Sequence, residues 1–569
     1  MSTKAKLKAL WASLYPQDDQ KLLDGFLDTL TPFDQSLMNT ESDWYKDAVV
    51  YSLYVDLYNK DFDGLTAKLD YISGLGVTCL WLLPILDSPM RDGGFDIRNY
   101  DLIRHELLGL PAGHSKQQQE ETFGRFMAEL QKRNLKVIFD FPANHTSEEH
   151  PWFQEAKKSK DNPFHDYYIW STDTSLYSDA RIIFKGMESS NWEALGNEFF
   201  FHRFFSFQPD LNYRNPNVLI EMCKYLLYWQ SIGVDGFRAD AIPYLWKEQG
   251  TDCENLTETH LLVKFFRAML DYVKPGTLLL AEACQKPAKV VEYMGDGDEC
   301  QSAYHFPMMP MLYKAMAIHH SEPIQNILDT AITPVLPENG QWFTFLRCHD
   351  ELSLELVYVS EEDRKLIHES YCHEPEWDFR LGEGISARLA NLLEFDDRRM
   401  GLAYSMMLSL PGTPVMYYGD EFGKENDENF YREMIQLAGK NDTRFRVRGR
   451  IDWTKREAQL KQPETFQYKV FTRIQQLLSV RKKHKAFGRG SIAFIQLKNM
   501  DAVVNPSVLA YWRKFGDEKV LIIQNLADES QKLITPVVSG VLVDLLTIER
   551  PVSKVLNLAP YEYRWYRMV

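Results

Sequence analysis

Short apolar runs alternate with amphipathic stretches along most of the chain, beginning near residue 44. That alternation predicts strands and helices of a parallel α/β architecture. The run Ala48–Val55 is followed by GLTAKLDYISGLG, whose Leu65, Leu69, Ile72 and Leu75 fall on one helical face. VTCLWLLP (Val77–Pro84) is continuously apolar, as suits a strand buried on both sides. A polar helical stretch near 117–134 leads into KVIFD, which ends at Asp140. From Phe141 to about Asn215 the rhythm breaks into a segment rich in aromatics, Asn, Asp and Pro, read as an excursion after the third strand. The helix PNVLIEMCKYLLYWQSIG restores the alternation, with Leu219, Met222, Leu226 and Trp229 on one face. The strands VDGFRADA, LLLAEAC, WFTFLRCHDE and PVMYYGDE follow.

After about Lys485 the helical period disappears. SVLAYWRKF, KVLIIQNLA and GVLVDLLTI, separated by turn residues, predict a small antiparallel β domain over 486–569. Residues 1–43 read as a separate helical extension, which leaves 44–485 for the main α/β domain and 141–215 for its insertion. A chain of 569 residues has room for these two or three domains.

Composition narrows the partners. A net charge of −16 would repel nucleic acid or an anionic membrane, so neither is expected. Aromatics at 13% can both fill a core and line a sugar site. The first residues contain no apolar stretch of signal-peptide length, and no membrane-spanning run follows. Seven cysteines, an odd count with no C-x-x-C, argue against a disulfide framework or a zinc site and favour a reducing cytoplasm. No feature of the sequence sets the oligomeric state.

Four apolar runs end on polar residues: Asp140/Asn144/His145, Arg238/Asp240, Glu282, and His349/Asp350. Any one such residue could be a helix cap or a solvated loop side chain. In a (β/α)8 barrel, however, the C-terminal strand ends converge on one face, and all four groups would then share a pocket. Glycosidic cleavage needs a proton donor and a second carboxylate, and a separation of about 5 Å permits a covalent intermediate with retention. Asp240 and Glu282 close the fourth and fifth strands as counted here, and adjacent strands lie ~4.8 Å apart. The apolar run Leu278–Ala281 before Glu282 would raise its pKa and keep it protonated as an acid. Arg238, two residues before Asp240, points the same way along the strand and could hold Asp240 ionised.

These segments resemble, in order, the signatures of the α-amylase superfamily, glycoside hydrolase family 13. DFPANHTS resembles the first, QPDLN the short one in the inserted domain, GVDGFRADA the second, LLLAEAC the third, FLRCHDE the fourth and YYGDEFG that of the last strand. The match runs from about residue 44 to 455. It implies an α/β fold: a (β/α)8 TIM barrel, an inserted domain B after strand 3 and a C-terminal antiparallel β-sandwich. It implies a retaining enzyme with Asp240 as nucleophile, Glu282 as general acid/base and Asp350 stabilising the transition state. His145 and His349 would hydrogen-bond the glucosyl unit, Arg238 would orient Asp240, and Asp140 would support the site from behind. DGGFDIRNY resembles the loop whose acid closes the pocket and whose aromatic stacks under glucose, here Asp92 and Phe95. In exo-acting members that acid pairs with a late arginine, for which DTRFRVRGRIDW offers Arg444 and Arg448.

Within the family, GVTCLWLLPILDSPMRDGGFDI, NHTSEEHPWFQ, HRFFSFQPDLN, DAIPYL and LSLPGTPVMYYGDE are similar to the trehalose-synthase branch. VDLYNKDFDGL and DTRFRVRGRIDW are more similar to the amylosucrase and sucrose-hydrolase branch. The resemblance therefore implies a small α-glucoside such as trehalose, maltose or sucrose as substrate, and water or a sugar as acceptor. A polymer-acting α-amylase and a non-catalytic binding relative are the alternatives. No organic cofactor is implied, because side chains supply all the chemistry. Cys348 stands where the trehalose-synthase-like fourth signature has Asn, and the Asp-x-Asn-x-Asp calcium loop is replaced by NKDFDG. The matching residues for a second calcium site are Asn144 and Asp210. Lys247 aligns with that site's glutamate, so calcium or a lysine ammonium could neutralise it. The acidic GDGDE (Gly295–Glu299) reads as a solvated turn.

Overall fold

The computed structural model describes residues 2–33, 43–536, 538, 540–547 and 554–569. Eight strands form a closed barrel: β1 (Val50–Leu53), β2 (Cys79–Leu82), β3 (Lys136–Pro142), β4 (Gly236–Asp240), β5 (Leu278–Ala281), β6 (Ser302–Tyr304), β7 (Gln341–Phe345) and β8 (Thr413–Tyr417). Each lies parallel to the next in chain order, and β8 returns to β1 with Val50 beside Val415. Every residue of β1, β2 and β5 is buried, as a strand needs when side chains fill the lumen on one face and helices cover the other.

Two expected elements differ in detail. The first strand is shorter than Ala48–Val55, because Val55 opens a helix, Val55–Asn59. The helix expected over 64–76 is two pieces, Phe62–Thr66 and Leu69–Leu75, broken at Ala67–Lys68, yet Leu65, Leu69, Ile72 and Leu75 are all buried. The sixth strand, unmarked in the sequence pattern, has only three residues and no apolar run to announce it.

After β3 the chain leaves the barrel. Its strands Trp170–Ser171, Glu198–Phe201 and Trp192–Leu195 form a small antiparallel sheet in that order. The segment is stitched to the barrel mouth where Leu211 N donates to Asn144 O at 2.9 Å. Asn215 then caps the helix Pro216–Ser231 by accepting from Asn217 N, with Pro216 in the first turn, and this cap returns the chain to the barrel.

The N-terminal helix Thr3–Leu14 buries Leu7, Leu10, Trp11 and Leu14. Trp11 meets Phe265 of the helix Thr257–Val273 at 5.8 Å between ring centres. The stretch 34–42 of the expected extension lies outside the described residues. Lys6 of the same helix pairs with Asp298 at 3.2 Å, and Glu299 is buried against His260 at 2.9 Å. The GDGDE segment is thus an anchor for neighbouring helices rather than a solvated turn. The C-terminal strands form an antiparallel five-stranded sheet faced by the pair Gln531–Ile534 and Val555–Leu558. Leu497, Leu521, Leu533 and Leu558 pack between the two layers.

Candidate active site

At the C-terminal ends of the barrel strands is a cavity of about 120 Å3. Asp92, Phe95, His145, Arg238, Asp240, Glu282, His349, Asp350 and Arg444 all line it. Arg448 and Asp140 stand one layer behind, and Asn144 and Asp210 lie elsewhere.

The two central carboxylates are neighbours through strand register. β4 and β5 pair Arg238 with Leu280 and Ala239 with Ala281, and Glu282 N donates to Ala239 O at 3.1 Å. Asp240 and Glu282 are therefore the next residues of adjacent parallel strands. Arg238 Nη1 bridges Asp140 at 2.5 Å and Asp240 at 2.7 Å. Trp81 Nε1 donates to the second oxygen of Asp140 at 2.9 Å. The guanidinium is walled by Trp81, Phe95 and Tyr304, each centred within 6 Å of it. Burial pushes Asp140 up to about 7, against the pull of Arg238.

Glu282 is held from two sides. Ala241 N donates to Oε2 at 3.1 Å, and the Cys284 thiol donates to Oε1 at 3.3 Å. Ala241 has a left-handed backbone, with φ 57°. That conformation is disfavoured for a residue with a Cβ, and here it directs the amide toward the carboxylate. Burial raises the Glu282 carboxyl to about 7, with Arg238 opposing the rise and Asp240 adding to it. A carboxyl in that range is protonated for a useful fraction of the time near neutrality.

Asp350 accepts from Arg444 Nη1 and Arg448 Nη2 on Oδ1, both at 2.9 Å, and meets His349 Nε2 at 3.0 Å on Oδ2. Burial works against its charge, yet His349, Arg444 and Arg448 hold it well below the usual carboxylate range. Burial lowers His349 to about 4, so its imidazole is neutral and donates through Nε2. Burial likewise lowers His145, whose Nε2 has no partner among the described residues. Phe95 stacks on His349, with ring centres 5.3 Å apart.

One end of the pocket is sealed. Arg444 Nη2 reaches Asp92 Oδ1 at 3.3 Å, and Gln208 Nε2 donates to the other oxygen at 3.0 Å. Asp442 clamps Arg444 with both oxygens, at 2.6–3.0 Å. Burial raises Asp92 to about 7, with Arg444 and Arg448 opposing. At the mouth, Arg181 from the inserted segment meets Glu355 at 3.6 Å, and Arg380 meets Glu355 at 2.8 Å. Gln208 and Asp442 sit inside motifs read from the sequence without their partners being visible there. Cys284, Arg181, Glu355 and Arg380 had no sequence signal, because their roles come from loops meeting in space.

Asn144 and Asp210 do come together, but around Lys247, whose Nζ lies 2.8 Å from Asn144 Oδ1 and 2.7 Å from Asp210 Oδ2. All three are buried. An ammonium fixed on both oxygens occupies the place a cation would take, so this donor set does not fit calcium. Burial lowers the Lys247 pKa, while Asp210 opposes.

A barrel with carboxylates on adjacent strand ends and a pocket closed at one end defines an enzyme of the glycoside-hydrolase class. The α-amylase catalytic-domain pattern matches residues 33–490, and the maltogenic-amylase C-terminal domain matches 502–565. The chain belongs to the α-amylase family, glycoside hydrolase family 13. It is 40% identical over 529 residues to a trehalose synthase/amylase of Mycolicibacterium smegmatis, covering 86% of this chain and 85% of that one. It is 37% identical to a trehalose synthase of Pimelobacter sp., covering 87% and 89% respectively. The fold resembles the crystal structure of a trehalulose synthase from Pseudomonas mesoacidophila MX-45, with a TM-score of 0.67, 22% identity, and 92% and 99% of the two chains covered. No helix among the described residues is long and apolar enough to cross a membrane.

Proposed function

We propose that the protein transfers the glucosyl unit of a small α-glucoside with retention, returning it to the released sugar as a trehalose-synthase-like isomerase, with water as the competing acceptor. In the first step Glu282 gives its proton to the glycosidic oxygen while the Asp240 carboxylate attacks C1, so the glycosidic bond breaks and an ester bond forms. In the second, ionised Glu282 takes a proton from the acceptor hydroxyl as that oxygen attacks C1 and frees Asp240. Arg238 orients Asp240 through its 2.7 Å hydrogen bond, and Asp350, fixed by three donors, offers constant negative charge to the oxocarbenium-like transition state.

The Asp92–Arg444 contact is the observation that carries the small-substrate reading. It blocks the cavity beyond the glucosyl site, and a polymer would need that path open. The relatedness to trehalose synthases supports transfer to a sugar over hydrolysis. Lys247 Nζ, held between Asn144 and Asp210, supplies the positive charge at that site, so this reading routes no step through a metal.

Incubation with maltose, trehalose, sucrose and maltotriose, with product analysis, tests the proposal. We expect interconversion of disaccharides with glucose as a side product, and Asp240→Asn to abolish it. Faster release of reducing ends from starch than turnover of any disaccharide, or full activity in Asp240→Asn, would overturn it.

A further inference from the structure

The opposite end of the barrel holds a second cavity, of about 210 Å3, beneath the entries to β1 and β2. Arg481, Lys482, His484, Lys485, Asp47 and Thr78 are among the residues lining it. Its charge is one-sided. Asp47 is occupied by Arg489 at 2.7 Å. His484 meets one oxygen of Glu518 at 2.6 Å, and Ala486 N donates to the other at 2.8 Å. Lys482 and Lys485 are exposed and have no ion-pair partner among the described residues.

Beneath them, Arg481 is buried and donates only to carbonyls, those of Leu408 at 2.5 Å and Gly412 at 2.9 Å. Its neighbour Arg513 is equally buried and is held by the carbonyls of Ser409, Phe487 and Gly490 at 2.6–2.9 Å. Carbonyl dipoles satisfy the terminal N–H groups, leaving Arg513 Nε without a partner among the described residues, but cancel no net charge. Burial and the charge of Arg513 draw Arg481 down to about 9 against the opposing pull of Asp47, and burial draws Arg513 down to about 10. A guanidinium ordinarily stays protonated well above that range, so the site is short of negative charge. This happens in a chain whose net charge is −16. The arginines of the catalytic pocket, by contrast, are matched by Asp92, Asp350 and Asp442.

We propose that this cavity binds the phosphoryl group of a small phosphorylated anion, with Lys482 and Lys485 contacting it at the rim and Arg481 supplying charge from below. A phosphoryl dianion matches point-charge ammonium donors and neutralises the buried pair. That volume is many times the ~10–15 Å3 that one water needs, which admits a phosphate and part of an attached sugar.

Titration calorimetry on the full chain, with inorganic phosphate and with glucose 6-phosphate at constant ionic strength, tests this. Saturable one-to-one binding is expected, weakened at least about tenfold in the double variant Lys482→Gln/Lys485→Gln, with disaccharide turnover unchanged. Tighter binding of the sugar ester would identify an ester as the occupant, and equal binding would identify phosphate itself. No saturable heat from either probe, or undiminished binding in the double variant, would overturn the proposal.

Discussion

In the proposed cycle Glu282 is a protonated acid in one step and an ionised base in the next, and its surroundings keep both forms within reach. Burial lifts its carboxyl to about 7, while the Ala241 amide and the Cys284 thiol favour the charged form. The free enzyme must carry the proton for the first step, so kcat/KM should fall as pH rises through about 7. Glu282→Gln should lose roughly 10²–10⁴ in kcat/KM and, with it, this alkaline limb. Cys284→Ala removes one hydrogen bond to the carboxylate, so the limb should move to higher pH with little change in its plateau. A pH–rate profile flat from pH 6 to 8, or an unmoved limb in the cysteine variant, would show that another group controls the proton.

At the scale of elements, two glycine- and lysine-bearing loops fix the pocket. Gly93 has φ +58°, and a Cβ there would come within 2.4 Å of Arg448 Nη1. Gly93→Ala must both adopt a left-handed backbone, costing roughly 1–2 kcal/mol, and push Arg448 from Asp350. We expect raised KM and lowered kcat together; steady-state kinetics at wild-type values would show that Arg448 has room to yield. Lys247 ties the loop after β3 to Asp210 of the inserted segment. Lys247→Met would leave Asp210 charged, buried and unpaired, a loss of about 3–5 kcal/mol in urea unfolding. Chelators should leave the wild type untouched, whereas added calcium should restore part of the variant's stability. Chelator sensitivity in the wild type would return the site to a metal.

These elements also show what the sequence made legible. The strand ends were readable because a buried parallel strand is a continuous apolar run, and the residue that closes it stands out. Asp240 and Glu282 are therefore legible in the sequence as the closing residues of consecutive strands. Three-residue β6 has no such run. Gln208, Asp442 and Cys284 lie in or beside recognised motifs, but their partners Asp92, Arg444 and Glu282 come from other segments, and no periodicity encodes a contact between loops. The mouth residues Arg181, Glu355 and Arg380 are invisible for the same reason.

At the scale of the whole molecule, stability should depend on pH through carboxyls pulled in opposite directions. Glu421, fully buried beneath β8, accepts from Tyr51 OH at 2.8 Å and Tyr71 OH at 3.0 Å on one oxygen, and its other oxygen has no partner among the described residues. Burial raises it to about 7, with the two tyrosine hydrogen bonds opposing. A raised acid contributes stability that is complete below its unfolded pKa, near 4.3, and is lost as pH rises to its folded value. At 1.36 kcal/mol per unit, Glu421 alone sets a decline of about 3 kcal/mol between pH 4.5 and 7. Asp350, held low by His349 and two arginines, has the opposite sign: its contribution is present above about pH 4 and lost on acidification. Together they place the stability maximum on the acid side of neutrality. Glutamine at 421 keeps an acceptor for both tyrosines and carries no proton to lose, so Glu421→Gln should make the decline between pH 5 and 7 shallower by about 3 kcal/mol, Glu421's own share, while leaving the acid limb in place. Urea unfolding across that range measures it, and an equally steep decline in the variant would assign the pH dependence to Asp92, Asp140 and Glu282, whose buried carboxyls are raised to the same value.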